Sequence, residues 1–135
     1  MPIKVILDSN FLFVPVQFQI DIFSELENLL SQKVDAILLS STFEELKKLA
    51  ESKSPKMRRQ ASLALKFAEK CRLVEVNRNA EESNDDVIVR VASLWKCPVA
   101  TNDLQLKKRL RNINVAVIYL RQKSRLNIEG SVNHV

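Results

Sequence analysis

The chain has 135 residues, 46% hydrophobic and 27% charged, which is one domain's worth of polypeptide with an adequate core. A single glycine, Gly130, argues against P-loops and dinucleotide fingerprints, which need glycine where backbone meets phosphate. One histidine, His134, and two cysteines, Cys71 and Cys97, argue against Ser-His-Asp triads, histidine-rich zinc sites and four-thiolate centres. Net charge is +5, and Lys107, Lys108, Arg109, Arg111, Arg121, Lys123 and Arg125 fall in one stretch free of acids, which suggests a polyanionic partner.

The elements follow in chain order. Residues 4–7 form a short apolar run closed by Asp8-Ser9-Asn10, the pattern of a buried strand and a polar turn. Residues 11–18 are apolar but contain Pro15 and read as a loop with a helical turn. From Asp21, Ile22, Phe23, Leu26, Leu29 and Leu30 recur at helical intervals. Residues 36–39 are a second strand, and Ser41 with Glu44 matches a capping box that opens a helix. Pro55 suits the first turn of the next helix. Residues 73–76 are a third strand, residues 77–84 a polar loop, and Asp85-Asp86 opens a helix through Val87, Ile88, Val91, Ala92 and Trp95. A very short strand at 99–100 precedes Thr101-Asn102-Asp103, and a basic helix follows with Leu104, Leu106 and Leu110 inward. Residues 115–120 are a fifth strand. The domain is expected to span 1–125, with a polar tail at 126–135 that includes His134.

Regular alternation of strands and helices predicts a parallel sheet covered on both faces. In such sheets the ligand sits beyond the C-terminal ends of the strands. Asp8, Glu44 and Glu45, Asp85 and Asp86, and Asp103 all fall at that edge. Each has an ordinary structural use: Asp8 in a turn, Glu44 in the capping box, Asp85 and Asp86 at a helix N-terminus, Asp103 as a cap. Together they should repel unless cations join them. Hard oxygen donors without histidine or cysteine suit Mg²⁺ or Mn²⁺, and one or two such ions can activate water and stabilise in-line phosphoryl displacement.

These residues resemble the motifs of the PIN-domain ribonucleases. Asp8-Ser9-Asn10-Phe11-Leu12 is similar to the family's opening Asp-Thr-Asn motif, Glu45-Leu46 to its Glu-Leu motif, Asp85-Asp86-Val87-Ile88 with Ala92 to its third, and Thr101-Asn102-Asp103 to its fourth. The opening motif followed by Pro15-Val16-Gln17-Phe18 resembles the branch of the small-subunit processome endonuclease and its archaeal relatives. The resemblance covers residues 5–120. It implies a three-layer α/β/α fold with a five-stranded parallel sheet in the order 3-2-1-4-5. It also implies a metal-dependent endoribonuclease of rRNA processing or RNA turnover. Asp8, Glu45, Asp85 and Asp103 would be catalytic and hold one or two Mg²⁺ or Mn²⁺ ions, with Asp86 as second choice.

Ser9, Asn10 and Thr101 would orient these acids, or serve as ordinary turn residues. Lys107, Lys108 and Arg111, and Lys53 and Lys56 around Pro55, are candidate RNA contacts, against the alternative of a solvated helix face. Phe11, Phe13 and Phe18 read as core before base-stacking platforms. Two other functions stand beside the first, a toxin ribonuclease of a toxin–antitoxin pair and an RNA-binding PIN-like scaffold without catalysis. The partners implied are RNA, single-stranded at the cut, with a homodimer, a pre-ribosomal particle or an antitoxin as protein partners. No membrane partner is expected, and low cysteine usage without a secretory leader points to the cytoplasm. In the family's strand order Cys71 and Cys97 are three strand spacings apart, roughly 14 Å, so two free buried thiols are expected.

Overall fold

The computed structural model describes residues 2–132, and His134 lies outside them. Strand β1 (Ile3–Leu7) occupies the middle of the sheet, parallel to β2 (Val34–Leu39) on one side and to β4 (Val99–Ala100) on the other. Strand β3 (Arg72–Val74) lies outside β2 and β5 (Val117–Arg121) outside β4, both parallel, so these five have the expected order 3-2-1-4-5.

The expected five strands become six. Residues Arg125–Glu129, assigned from the sequence to the domain's last residue and the start of its tail, form β6, antiparallel to β5 with Leu120 opposite Leu126 and Ile118 opposite Ile128. Alternation supports the strand: Leu126 is buried and Ile128 partly so, while Arg125 and Glu129 face out. The connecting turn carries Gln122 and Lys123 at φ 54 and 61, left-handed conformations for which Gly or Asn is the usual sequence signal. Gly130 follows β6 at φ 97, and the space its missing side chain leaves is filled by the guanidinium of Arg111.

The strands are apolar on both faces because helices cover both. Val5 and Leu7 of β1, Ala36 and Leu38 of β2, Ala100 of β4 and Ile118 of β5 point into one core. That core is completed by Leu12, by α1 (Val14–Phe18), α2 (Ile22–Leu30), α3 (Ser40–Ala50) and α4 (Pro55–Ala68). The alternate residues Ile6, Ile37, Leu39, Val99 and Val117 pack against α5 (Asn84–Trp95) and α6 (Leu104–Asn112). The period-two alternation of side chains across the sheet thus yields two cores and three layers.

Three local readings are corrected. Residues 9–18 are helical almost throughout, as a 3₁₀ turn over Ser9–Phe13 running into α1, because Pro15 sits in the first turn, where its missing N–H costs nothing. Helix α3 begins at Ser40 without a side-chain cap, and Glu44 pairs with Lys47 instead of closing a box with Ser41. Leu104 is 71% exposed, since it starts α6 on the outer face, while Leu106 and Leu110 are fully buried. Cys71 and Cys97 are unpaired, and burial pushes their thiols up to about 12 and about 11. Among the described residues no helix is long and apolar enough to cross a membrane.

Candidate active site

Asp8 follows the last residue of the central strand. Its N–H continues the ladder by donating to the Ala100 carbonyl at 2.9 Å, which fixes the carboxyl at the sheet's C-terminal edge. Oδ1 accepts the N–H of Ser9 at 2.8 Å and Oδ2 accepts the Thr101 hydroxyl at 2.7 Å. The residue is 3% exposed. Burial pushes its carboxyl up to about 6, against the pull of the Thr101 and Ser9 hydrogen bonds, and the charges of Asp85 and Glu45 add to the rise.

The other acids arrive from three helix starts. Glu45 sits in the second turn of α3, and its Oε1 accepts the Ser9 hydroxyl. Asp85 is the second residue of α5, and its carboxyl is raised by burial and by the charges of Asp103 and Glu45. Asp103 caps α6 with one oxygen, Oδ1, which accepts from the N–H groups of Gln105 at 2.8 Å and Leu106 at 3.1 Å. The structure therefore gathers Asp8, Glu45, Asp85 and Asp103 at one sheet edge, near enough to feel one another's charge. Among the described residues none of the four makes an ion pair with lysine or arginine.

Asp86 has a different fate. Its carboxylate accepts the Ser83 N–H at 3.0 Å while the Ser83 hydroxyl accepts the Asp86 N–H at 3.1 Å, a capping box on α5, two helices later than the one expected at Ser41 and Glu44. It also pairs with Arg109 at 2.9 Å. The backbone and hydroxyl of Ser83 and the Arg109 guanidinium hold its carboxyl below the usual range, opposite to Asp85.

Around the acids runs a hydrogen-bonded shell. The Thr101 hydroxyl, fully buried, donates to Asp8 and accepts the Asp103 N–H at 3.1 Å. Asn10 Oδ1 accepts the Asn102 N–H at 3.1 Å, and Asn10 Nδ2 donates to Thr101 Oγ1 at 3.4 Å. Ser9, Asn10 and Thr101 thus all contact the acids or one another at this edge.

Two contributors escape the sequence reading. Asn84 Oδ1 accepts the hydroxyls of Ser41 at 2.8 Å and Thr42 at 3.0 Å, tying the start of α5 to the start of α3 and so Asp85 to Glu45. Its Nδ2 is buried without a hydrogen-bond partner. Arg109, rather than its basic neighbours, is the cation at this edge, and its charge partly offsets the rise at Asp85. The Ser83-x-x-Asp86 spacing was the available signal for the box; nothing local marks Asn84 or Arg109.

The expected RNA contacts divide. Lys107 lies 4.3 Å from the centre of the Tyr119 ring and 3.4 Å from Glu129. Arg111 donates to the Val115 carbonyl at 3.2 Å. Lys107 is thus engaged with β5 and β6, and Arg111 with the loop before β5. Lys108, Lys53 and Lys56 are exposed.

An acid set without histidine, cysteine or paired cation fits a hard divalent ion. Among the described residues no three histidine, cysteine or acidic side chains stand together as a group that could hold a metal ion, so the four acids share an edge without forming a ready-made coordination site.

The comparisons agree with this architecture. The chain is 30% identical over 129 residues to ribonuclease VapC4 of Methanocaldococcus jannaschii, covering 96% of this chain and 98% of that one. It is 32% identical over 114 residues to the rRNA-processing protein FCF1 of Saccharomyces cerevisiae, of which it spans 56%. It superposes on the solved PIN domain endonuclease Utp24 with a TM-score of 0.81 and 29% identity, over 99% of this chain and 96% of that one. Residues 5–123 match the family model described as PIN like domain, and the chain belongs to that family.

Proposed function

We propose that the chain is a Mg²⁺- or Mn²⁺-dependent endoribonuclease whose site is built on Asp8, Glu45, Asp85 and Asp103, acting on RNA that is single-stranded at the cut. The observation that carries this reading is the buried Asp8 carboxyl, held beside Glu45 and Asp85 with no cation paired to it. Such a cluster is costly unless a divalent ion is its natural occupant. When bound, one or two such ions supply activation of water and neutralisation of charge on the phosphodiester.

The chain's own part is positional. The Ser9 hydroxyl holds Glu45 and the Thr101 hydroxyl holds Asp8. Both hydroxyls donate to carboxylates and so fix where those carboxylates point. Asp103 uses Oδ1 for its cap, which leaves Oδ2 for the ion. Arg109, already paired to Asp86, offers positive charge beside the cluster for a substrate phosphate.

Processing of rRNA is the preferred role, supported by the likeness to FCF1 and to Utp24. A toxin ribonuclease is the second reading, favoured by the match with VapC4 along almost its whole length. A scaffold without catalysis is disfavoured by the presence of all four acids. The test is an end-labelled single-stranded RNA incubated with the protein and Mn²⁺ or Mg²⁺. Internal cuts that vanish with chelator are expected; cutting indifferent to chelator would sink the reading. Growth arrest on expression, relieved by the product of a small adjacent gene, would favour the toxin. Accumulation of precursor rRNA on depletion would favour processing.

A further inference from the structure

Beside the acids, on the side of α1 and α4, lies a cleft of about 530 Å³. That is within the size range of small-ligand sites. Its walls are mostly apolar: Phe18, Leu49, Met57 and Leu120, with Phe13 at the base. Its rim is amide: Asn10, Asn102 and Gln17. Apolar walls with a few amides on the rim match a nucleobase, which offers two flat apolar faces and a hydrogen-bonding edge.

Three observations select that occupant. First, the cleft is continuous with the proposed catalytic cluster, because Ser9 and Asn10 belong to both: Ser9 lines the cleft and donates to Glu45, and Asn10 bonds Thr101, the partner of Asp8. Second, the rim has unspent hydrogen-bonding groups. Asn102 Oδ1 is taken by the Leu120 N–H at 2.8 Å, which anchors the side chain and leaves its Nδ2 donors available. Gln17 is exposed, and among the described residues its side chain has no hydrogen-bond partner. Third, exposed Lys56 and Arg58 flank Met57 in sequence and exposed Lys53 lies just before them, so a polyanionic strand entering the cleft meets positive charge.

We propose that this cleft seats one unpaired base of the RNA strand next to the phosphodiester at the carboxylate cluster. The proposal rests on the ribonuclease reading above and adds a base subsite to it. Phe18 and Met57 provide the stacking walls, and Asn102 and Gln17 meet the base edge. Phe18, expected from the sequence to be core, is only partly buried and faces this cleft.

The test is an abasic scan. Binding of a short single-stranded RNA is measured by fluorescence anisotropy with Ca²⁺ in place of the catalytic ion, and each nucleotide in turn is replaced by an abasic one. One position should weaken binding about tenfold, within the effect of losing one stacked base. Two variants check the location. Gln17→Trp fills the cleft from an exposed position, and Met57→Ala removes a wall. In a correctly folded variant of either kind, intact RNA should bind about tenfold more weakly and the abasic penalty should disappear, because both changes remove the same contact. An equal response at every abasic position, or a penalty unchanged in both variants, would overturn the base subsite. Cleavage of the same RNA in Mn²⁺ is scored separately. Base-dependent binding without cleavage would leave the subsite standing and remove the nuclease reading, whereas cleavage without base dependence would do the reverse.

Discussion

The Thr101 hydroxyl links two acids: it donates to Asp8 Oδ2 at 2.7 Å and accepts the N–H of Asp103 at 3.1 Å. One side chain directly after β4, the neighbour of β1 in the sheet, therefore sets the position of both. Thr101→Val keeps the shape and removes the hydroxyl, leaving the Asp103 N–H and the Asp8 carboxyl each short of a partner. A stability loss of about 1–3 kcal/mol is expected by denaturant unfolding, and turnover should fall about 10- to 100-fold. Thr101→Ser should restore most of the turnover. Equal activity in wild type and Thr101→Val would show that the hydroxyl does not position Asp8.

Asp8→Asn should abolish RNA cleavage, with a fall of more than about 100-fold in turnover, while the circular dichroism spectrum stays native. The amide oxygen can still accept the Ser9 N–H, and the amide NH₂ can donate to the Thr101 hydroxyl oxygen in place of the bond it received, so the fold loses little. Wild-type activity of this variant in Mn²⁺, with contaminating nuclease excluded, would remove Asp8 from the site.

Asp8 also predicts an unusual pH dependence. Its carboxyl titrates at about 6 in the folded chain, against 3.8 when unperturbed. Between those values the folded state keeps a proton that the unfolded state has released. Stability therefore falls as pH rises through this window and levels off above it, by about 3 kcal/mol for the whole span. Asp85, raised in the same direction, adds to the trend. The check is the difference in unfolding free energy between wild type and Asp8→Asn in chelator, from about pH 4 to about pH 7. The variant should gain on wild type as pH increases; a constant difference would contradict the burial argument.

Asp85 and Asp86, adjacent in sequence, should behave oppositely. Asp85→Asn removes a member of the acid cluster and should cost more than about 100-fold in turnover, with stability unchanged or raised. Asp86→Ala breaks the capping box with Ser83 and frees Arg109, so it should cost roughly 0.5–2 kcal/mol of stability. Its turnover should fall much less. Paired thermal melts and single-turnover assays separate the two, and a reversed pattern would exchange their roles.

The basic residues should divide in the same way. Lys53→Ala with Lys56→Ala should flatten the slope of log affinity against log salt by up to about 0.7 per lost contact, with turnover at saturating RNA little changed. Lys107→Ala should leave that slope alone and cost up to about 1 kcal/mol of stability, since its ammonium is committed to Tyr119 and Glu129. A salt slope moved by Lys107 alone would mean that the ammonium exchanges Glu129 for phosphate.

The parallel part of the sheet is legible because its strands are short apolar runs ending in polar turns, and that alternation alone puts Asp8, the Glu44-Glu45 pair, the Asp85-Asp86 pair and Asp103 at one edge. Only family resemblance prefers Glu45 to Glu44 and Asp85 to Asp86; the bond from Ser9, the pairing of Glu44 with Lys47 and the capping box of Asp86 supply local reasons. What stayed hidden depends on contacts between distant segments. Asn84 looks like an ordinary loop residue until Ser41 and Thr42 fold against it. Arg109 was one positive charge among several until α6 packed beside α5 and met Asp86. Strand β6 lacked a turn signal because its hairpin places Gln122 and Lys123, not glycine or asparagine, in the left-handed region.

Strand β6 also decides what the sheet can recruit. A parallel sheet ending at β5 would present the unpaired backbone of a largely apolar strand as a template for another chain. With β6 in place the outermost strand is five residues long and carries Arg125 and Glu129, while at the opposite border β3 has three residues and its Arg72 is paired with Asp35. Short, charged borders discourage strand addition by a neighbour. Self-association through the sheet is thereby disfavoured at both margins, which leaves the helical faces and the acid-lined edge as the surfaces open to contact.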